Sequence, residues 1–370
     1  MPERPPLYPV SRVHLEVLTD EVGILQHAIG SRPDPVHGYC TDDVARALQV
    51  DLLHGRELGW AAVAESASRS VRYLDEAFDA TTGRFRNFRR VDGSWLAGPA
   101  SEDSNGRAML ALGETIADAA DPRLVETARS LFERALPATA GSVALRAQAS
   151  VLLGCDAALR AAPSERAAEA GHHLAGRIRS TFESSGTFAW PWPEPSLTYE
   201  NALPVRALIV GGRHLRSRPM VGAGLDMLDW LIAAQTAPAG HFSPIGNGWW
   251  PAGGDRSRFD QQPIEATALL LAAESAYEVT GHERYREAME QAYAWFLGRN
   301  DLGLEVADPV RGAGCDGLTP GGVNTNQGAE STLMWLIALE HIRAIRAGGQ
   351  PTMQAIPERP SERSLVTATR

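Results

Sequence analysis

Two kinds of apolar pattern alternate along the 370 residues of the chain. The first is a dense run of small apolar residues, opened by an acidic or amide residue after a long loop. Its clearest example is Phe259-Asp-Gln-Gln-Pro-Ile-Glu-Ala266, which continues into an Ala/Leu run over 267–273. That composition is helical rather than strand-like, with Asp260 placed as N-cap and Pro263 in the first turn. The loop before it, 241–259, is rich in Gly, Pro and Trp and has the make-up of a binding loop delivered onto a helix start. The second kind is amphipathic. Over 59–78 the apolar positions Val63, Val71, Leu74 and Phe78 fall at helical spacing.

Taken in order, a short helix is predicted over 10–18, then a loop over 30–40 carrying Pro33 and Pro35. Thr41-Asp42-Asp43 caps a helix running toward Leu53, and the amphipathic 59–78 follows. The pair recurs as Glu102-Asp103-Ser104 with a helix over 107–116, then 123–136. It recurs again as a helix capped by Ser142, then 164–182, and as Tyr199-Glu200-Asn201 with its helix, then 222–234. The Asp260 helix is followed by 283–297. Last, a loop over 298–325 delivers Asn326-Gln-Gly-Ala-Glu330 and a helix over 331–345.

Each small-residue helix carries a charged residue followed by Ala or Ser: Arg46, Arg107, Arg146, Arg206, Glu265 and Glu330. The marks recur at intervals near 60 residues, with the third about 40 after the second. Six apolar inner helices and six amphipathic outer ones describe an (α/α)6 toroid, all-α and a single domain over 1–347. Small residues let inner helices crowd the axis, and outer helices need one wet face. A two-domain α protein or an open solenoid shares much of the pattern; the count of six favours closure. Residues 348–370, rich in Pro, Ser, Arg and Thr, read as a disordered tail.

Composition narrows the chemistry. A net charge of −10 argues against a nucleic-acid partner. The chain contains no lysine, which removes Schiff-base chemistry and the phosphate-loop lysine, so no cofactor is expected. Cys40, Cys155 and Cys315 are too scattered for a disulfide framework. No apolar run suits a signal peptide or a membrane span, so a cytoplasmic protein without a membrane partner is expected. No His pair stands at ligand spacing, and no metal is expected. Oligomeric state is not legible.

The longest loops all precede inner helices, so they gather at one end with the inner helix N-termini. That end collects Asp42, Asp43, Glu102, Asp103, Glu200, Asp260 and Asn326, with Phe85, Trp95, Trp190, Trp192, Trp249 and Trp250. Carboxylates ringed by aromatics suit a carbohydrate, whose faces stack on Trp and whose glycosidic bond is cleaved by paired carboxyls. A single acid before a helix is usually only a cap, but doubled acids exceed what capping needs. The repeated Arg and Glu marks also fit a buried ion-pair lattice, the preferred reading for Arg146 and Arg206.

Several stretches resemble a group of bacterial proteins with the (α/α)6 toroid fold, encoded near glycosyltransferases and glycoside-active enzymes. They are His37-Gly-Tyr-Cys-Thr-Asp-Asp43 with Ala45-Arg46-Ala47-Leu48, Glu102-Asp-Ser-Asn-Gly-Arg107-Ala108, Tyr199-Glu-Asn-Ala202, Asp260-Gln-Gln-Pro-Ile-Glu265-Ala266 and Asn326-Gln-Gly-Ala-Glu-Ser-Thr332. Position 44 is Val where many relatives have Asn. The resemblance implies the toroid and glycoside chemistry, and is more distantly similar to inverting glycosidases of that fold.

The expectation is therefore an inverting glycoside hydrolase with Asp43 and Asp103 as the first acid/base candidates and Asp260 and Glu265 next. Tyr39, Asp42, Arg46, Glu102, Arg107, Trp192, Glu200, Trp249, Trp250, Gln261, Gln262, Asn326 and Glu330 are the candidate substrate contacts. A glycoside phosphorylase, a sugar epimerase or isomerase, and a non-catalytic carbohydrate-binding partner of a glycosyltransferase are the alternatives. The scarcity of histidines near inner helix starts weighs against the epimerase.

Overall fold

A computed structural model describes residues 4–98, 101–187 and 189–348. Among the described residues are twelve α-helices: α1 (Val13–Leu18), α2 (Thr41–Leu58), α3 (Ala64–Ala77), α4 (Glu102–Asp118), α5 (Pro122–Thr139), α6 (Leu145–Ala161), α7 (Glu165–Ser185), α8 (Ala202–His214), α9 (Arg218–Ala234), α10 (Pro263–Thr280), α11 (Glu283–Phe296) and α12 (Ala329–Arg346). The even-numbered helices form the inner ring. Each packs on the next, and α12 returns to pack on α2, which closes an (α/α)6 toroid. Helix α1 is the sixth outer helix, shortened to a turn and a half against α12. The expected tail lies almost wholly outside the described residues.

The inner helices are buried nearly all round: Ala45, Leu48, Ala108, Ala111, Ala147, Leu152, Ala207, Ala266, Leu270 and Leu336 are at most 7% exposed. Where α4 meets α6 the helices touch backbone to backbone. A Cβ on Gly113 would lie 2.2 Å from the Gly154 carbonyl, and one on Gly154 would lie 2.5 Å from that of Met109. That approach sets the tightest point of the ring.

Several helix starts differ from expectation. Helix α10 begins at Pro263 with Gln262 as N-cap, while Asp260 sits before it at φ 58°. Ser142 does not cap α6; its hydroxyl is buried without a partner, and Ala144 is the N-cap. The Glu102 carboxylate does that work instead, accepting the Val143 and Ala144 N–H groups at 2.9 and 2.6 Å.

The predicted loop over 30–40 is largely strand. β1 (Leu25–Ile29) and β2 (Arg32–Cys40) pair antiparallel, with Leu25 opposite Tyr39 and His27 opposite Asp34, and β2 also pairs with Phe88–Arg89. The two prolines argued for a loop, yet the hairpin pairs across Pro33. This hairpin and the loop over 297–328 rise above the α2 and α12 N-termini and wall one side of the mouth. Among the described residues no helix is long and apolar enough to cross a membrane.

Candidate active site

At the inner helix N-termini lies a cavity of about 460 Å³, walled by α2, the α10 and α12 starts, the β1–β2 hairpin and the loop around Asp316. Asp42, Asp43, Arg46, Asp260, Gln261, Gln262 and Glu330 line it, all expected from the sequence. Gln26, His27, Asn247, Asp316, Thr319, Asn324 and Ser331 line it as well. Gln26 and His27 were missed because they sit on β1, in a stretch assigned to no element, and Asn247, Asp316, Thr319 and Asn324 because they lie in two long loops with no periodicity to rank their members; Ser331 is in the first turn of α12, next to Glu330.

Asp43 is the buried member, 3% exposed. Its Oδ1 accepts from Arg46 Nη1 at 2.9 Å, and Arg46 Nη2 lies 2.8 Å from Glu330 Oε2. Burial pushes the Asp43 carboxyl up to about 7. Arg46 opposes that rise, while Glu330 and Asp42 add to it. Beneath, Arg107 Nη1 donates to Asp42 Oδ2 at 3.1 Å and its Nη2 donates to Glu200. The two guanidiniums with their four carboxylates form a charged floor across the axis. Below it a second cavity of about 250 Å³ runs down the axis, lined by Leu52, Leu110, Leu203 and Met334 above a ring of charged residues.

Glu265 does not reach the cleft cavity. It is 4% exposed and accepts the Glu200 N–H and, at 3.1 Å, the Asn201 amide. Burial raises its carboxyl to about 7 against those donors. The contact fixes Glu200 at φ 48°, from which its carboxylate meets Arg107. Glu265 thus shapes the floor from behind.

Asp260 lines the same cavity, and its exposed carboxylate is hydrogen-bonded to no other side chain among the described residues. Asp316 accepts from Ser331 Oγ at 2.9 Å and from Gly328 N–H at 3.2 Å, and burial raises its carboxyl. His27 stands edge-on to His37 with ring centres 4.6 Å apart. Burial, then His37, lowers its pKa below 6.5, so the imidazole is neutral at pH 7.

The other expected residues are placed elsewhere. Asp103 is half-buried, accepts the Tyr199 hydroxyl and lines neither cavity. Tyr39 is buried and donates to Asp20 at 2.6 Å. Gln261 faces the cavity with a fully engaged amide, donating to Asp301 and Arg258 and accepting from Trp295. Asn326 accepts from the Gly30 N–H at 2.9 Å and ties its loop to the hairpin. Arg146 locks the 194–201 segment through Glu194, Thr198 and the Tyr199 carbonyl. Arg206 makes no ion pair among the described residues, reaching only Ser275 Oγ at 3.4 Å.

None of the aromatic loop residues lines the cavity. Trp192 is fully buried against Phe182, Phe85 is core, and Trp250 packs with Trp190 and Trp230. Trp95 rests on Tyr73. Trp249 is 47% exposed at φ 64°, two residues beyond Asn247 of the cleft wall. These tryptophans mostly do what large apolar rings do, filling space under loops, and sequence offers no means of separating that use from sugar stacking.

No family model and no curated protein matches the chain. Solved structures do. A cellobiose 2-epimerase from Spirochaeta thermophila aligns over 89% of this chain and 92% of its own, with TM-score 0.66 and 15% identity. A D-mannose isomerase aligns over 90% and 95%, with TM-score 0.67 and 12% identity. A family 76 α-mannanase from Bacteroides thetaiotaomicron aligns over 90% and 94%, with TM-score 0.61 and 8% identity. At these identities the likeness is one of fold.

Proposed function

We propose that the chain is a carbohydrate-processing enzyme working by proton transfer in the upper cleft, and that its reaction is hydrolysis of a glycosidic bond. The observation that carries this is Asp43: a buried carboxyl with a pKa of about 7, on the floor of a sugar-sized cavity. A group poised near neutrality is still protonated enough to donate and becomes a competent base afterwards. Asp43 protonates the leaving oxygen, and Asp260, which lines the same cavity, takes the proton of the attacking water. An inverting pair of this kind stands about 6.5–9.5 Å apart. Gln262, Asn247, Thr319 and Asn324 offer amides and hydroxyls to the sugar. The three toroids compared above, all named for sugar substrates, support carbohydrate as the ligand class.

One observation favours a second reading. His27 is a neutral imidazole in the cleft, the state required to abstract a proton beside a sugar carbonyl in epimerisation or isomerisation. The two readings separate in one experiment. Neutral α- and β-linked disaccharides, aryl glycosides and monosaccharides are incubated with the protein in D2O and followed by proton NMR. Hydrolysis yields a new reducing end with no carbon-bound deuterium; epimerisation yields an isomer that carries it. Absence of both products across the panel would sink the enzyme reading.

A further inference from the structure

The charge balance of the cleft limits which sugars enter it, given the reading of that cleft as a sugar site. Five carboxyls line it: Asp42, Asp43, Asp260, Asp316 and Glu330. Among the described lining residues they face a single guanidinium, Arg46, and both of its terminal nitrogens are already taken, by Asp43 and Glu330. The next cation down, Arg107, is held in the same way by Asp42 and Glu200. The one histidine among the lining residues, His27, is neutral at pH 7. Even with Asp43 and Asp316 counted as protonated, three carboxylates oppose one committed arginine. The chain as a whole adds to this with a net charge of −10.

An anion entering such a cavity finds no free donor cation among the described residues that line it and must be desolvated beside like charge. A ligand phosphate or carboxylate is ordinarily met by an uncommitted Arg fork or a helix N-terminus. Here the N-terminal turns of α2, α10 and α12 already carry Asp42, Asp43, Glu265 and Glu330.

We infer that the cleft excludes anions: it takes neutral glycosides and turns away uronic acids, sugar phosphates and inorganic phosphate. Water is then the acceptor of the cleaved bond. The glycosidic C–O bond breaks, a bond from the water oxygen to the anomeric carbon forms, the leaving oxygen receives the Asp43 proton and the water proton passes to Asp260. The phosphorylase alternative lacks the cation it needs.

The test is calorimetric titration of the intact protein with its best neutral disaccharide and with the 6-phosphate and uronate forms of that sugar. At about 20 mM salt the charged forms bind at least about tenfold more weakly, and the gap narrows at about 500 mM salt, where the Debye length falls to a few ångströms. Asp260→Asn, which removes the carboxylate of the set bonded to no other side chain, narrows the same ratio by about threefold, whereas an Asp260 without a part in charge selection would leave the ratio unchanged. Binding of a charged form within twofold of its neutral parent, or turnover that requires phosphate, would overturn the inference while leaving the cleft a sugar site. Failure of every sugar to bind, neutral or charged, would overturn the sugar reading itself and this inference with it.

Discussion

Replacing Asp43 by Asn removes an ionisable group while keeping its shape, and the structure gives the size of the effect. Burial moves this carboxyl from an ordinary 3.8 to about 7 in the folded state. The folded protein therefore binds a proton that the unfolded chain has released throughout that window. The contribution is fully present below pH 4 and is lost as pH rises through 7. Three-odd pH units correspond to about 4 kcal/mol at most, since each unit is worth about 1.4 kcal/mol. The amide of the variant does not titrate and has no such dependence. The stability difference, Asp43→Asn minus wild type, should thus move in favour of the variant by up to about 4 kcal/mol between pH 4 and pH 8. Urea unfolding at several pH values measures it. The subtraction matters because Glu265 also titrates near 7, but it is present in both proteins and cancels. A difference that stays flat between pH 4 and pH 8 would refute the argument, because an Asp43 with an ordinary pKa is no general acid at neutral pH.

Other outcomes follow from single contacts. Glu265→Ala leaves the Glu200 N–H and the Asn201 amide without an acceptor, and is expected to lower stability by about 2–4 kcal/mol in denaturant titration. Gly154→Ala drives a Cβ into the Met109 carbonyl and should destabilise by about 1–3 kcal/mol or more. Gly222→Ala, on α9 with nothing within 4 Å, should stabilise by about 0.5–1 kcal/mol; thermal melts compare the two. Trp192→Ala should cost about 3–5 kcal/mol as a core deletion, whereas Trp249→Ala should stay within about 0.5 kcal/mol, again read from melts.

The ring was legible because its inner helices cannot be amphipathic: a helix crowded on every side must be small and apolar throughout, and six such runs stand out in the chain. Helix boundaries were less so, since the cap of α6 is supplied by Glu102, more than 40 residues upstream. The same long-range use explains the site. Asp42, Asp43, Arg46 and Glu330 belong to helix starts and were found together, but Asp103, with the same doubled-acid signature, turns to Tyr199. His27 and Asp316 reach the cleft only because the hairpin and the loop over 297–328 fold back across the mouth. Local sequence carries no record of that approach.

The most direct test of the account is the ratio of kcat/KM losses in Asp43→Asn and Asp103→Asn, measured on the best neutral substrate. The signatures of the two residues are alike, yet only Asp43 faces the cavity. The expected result is a loss of at least about a hundredfold for Asp43→Asn, in line with removal of a general acid, and less than about tenfold for Asp103→Asn. Equal losses, or a larger one at Asp103, would place the chemistry outside this cleft and contradict the account.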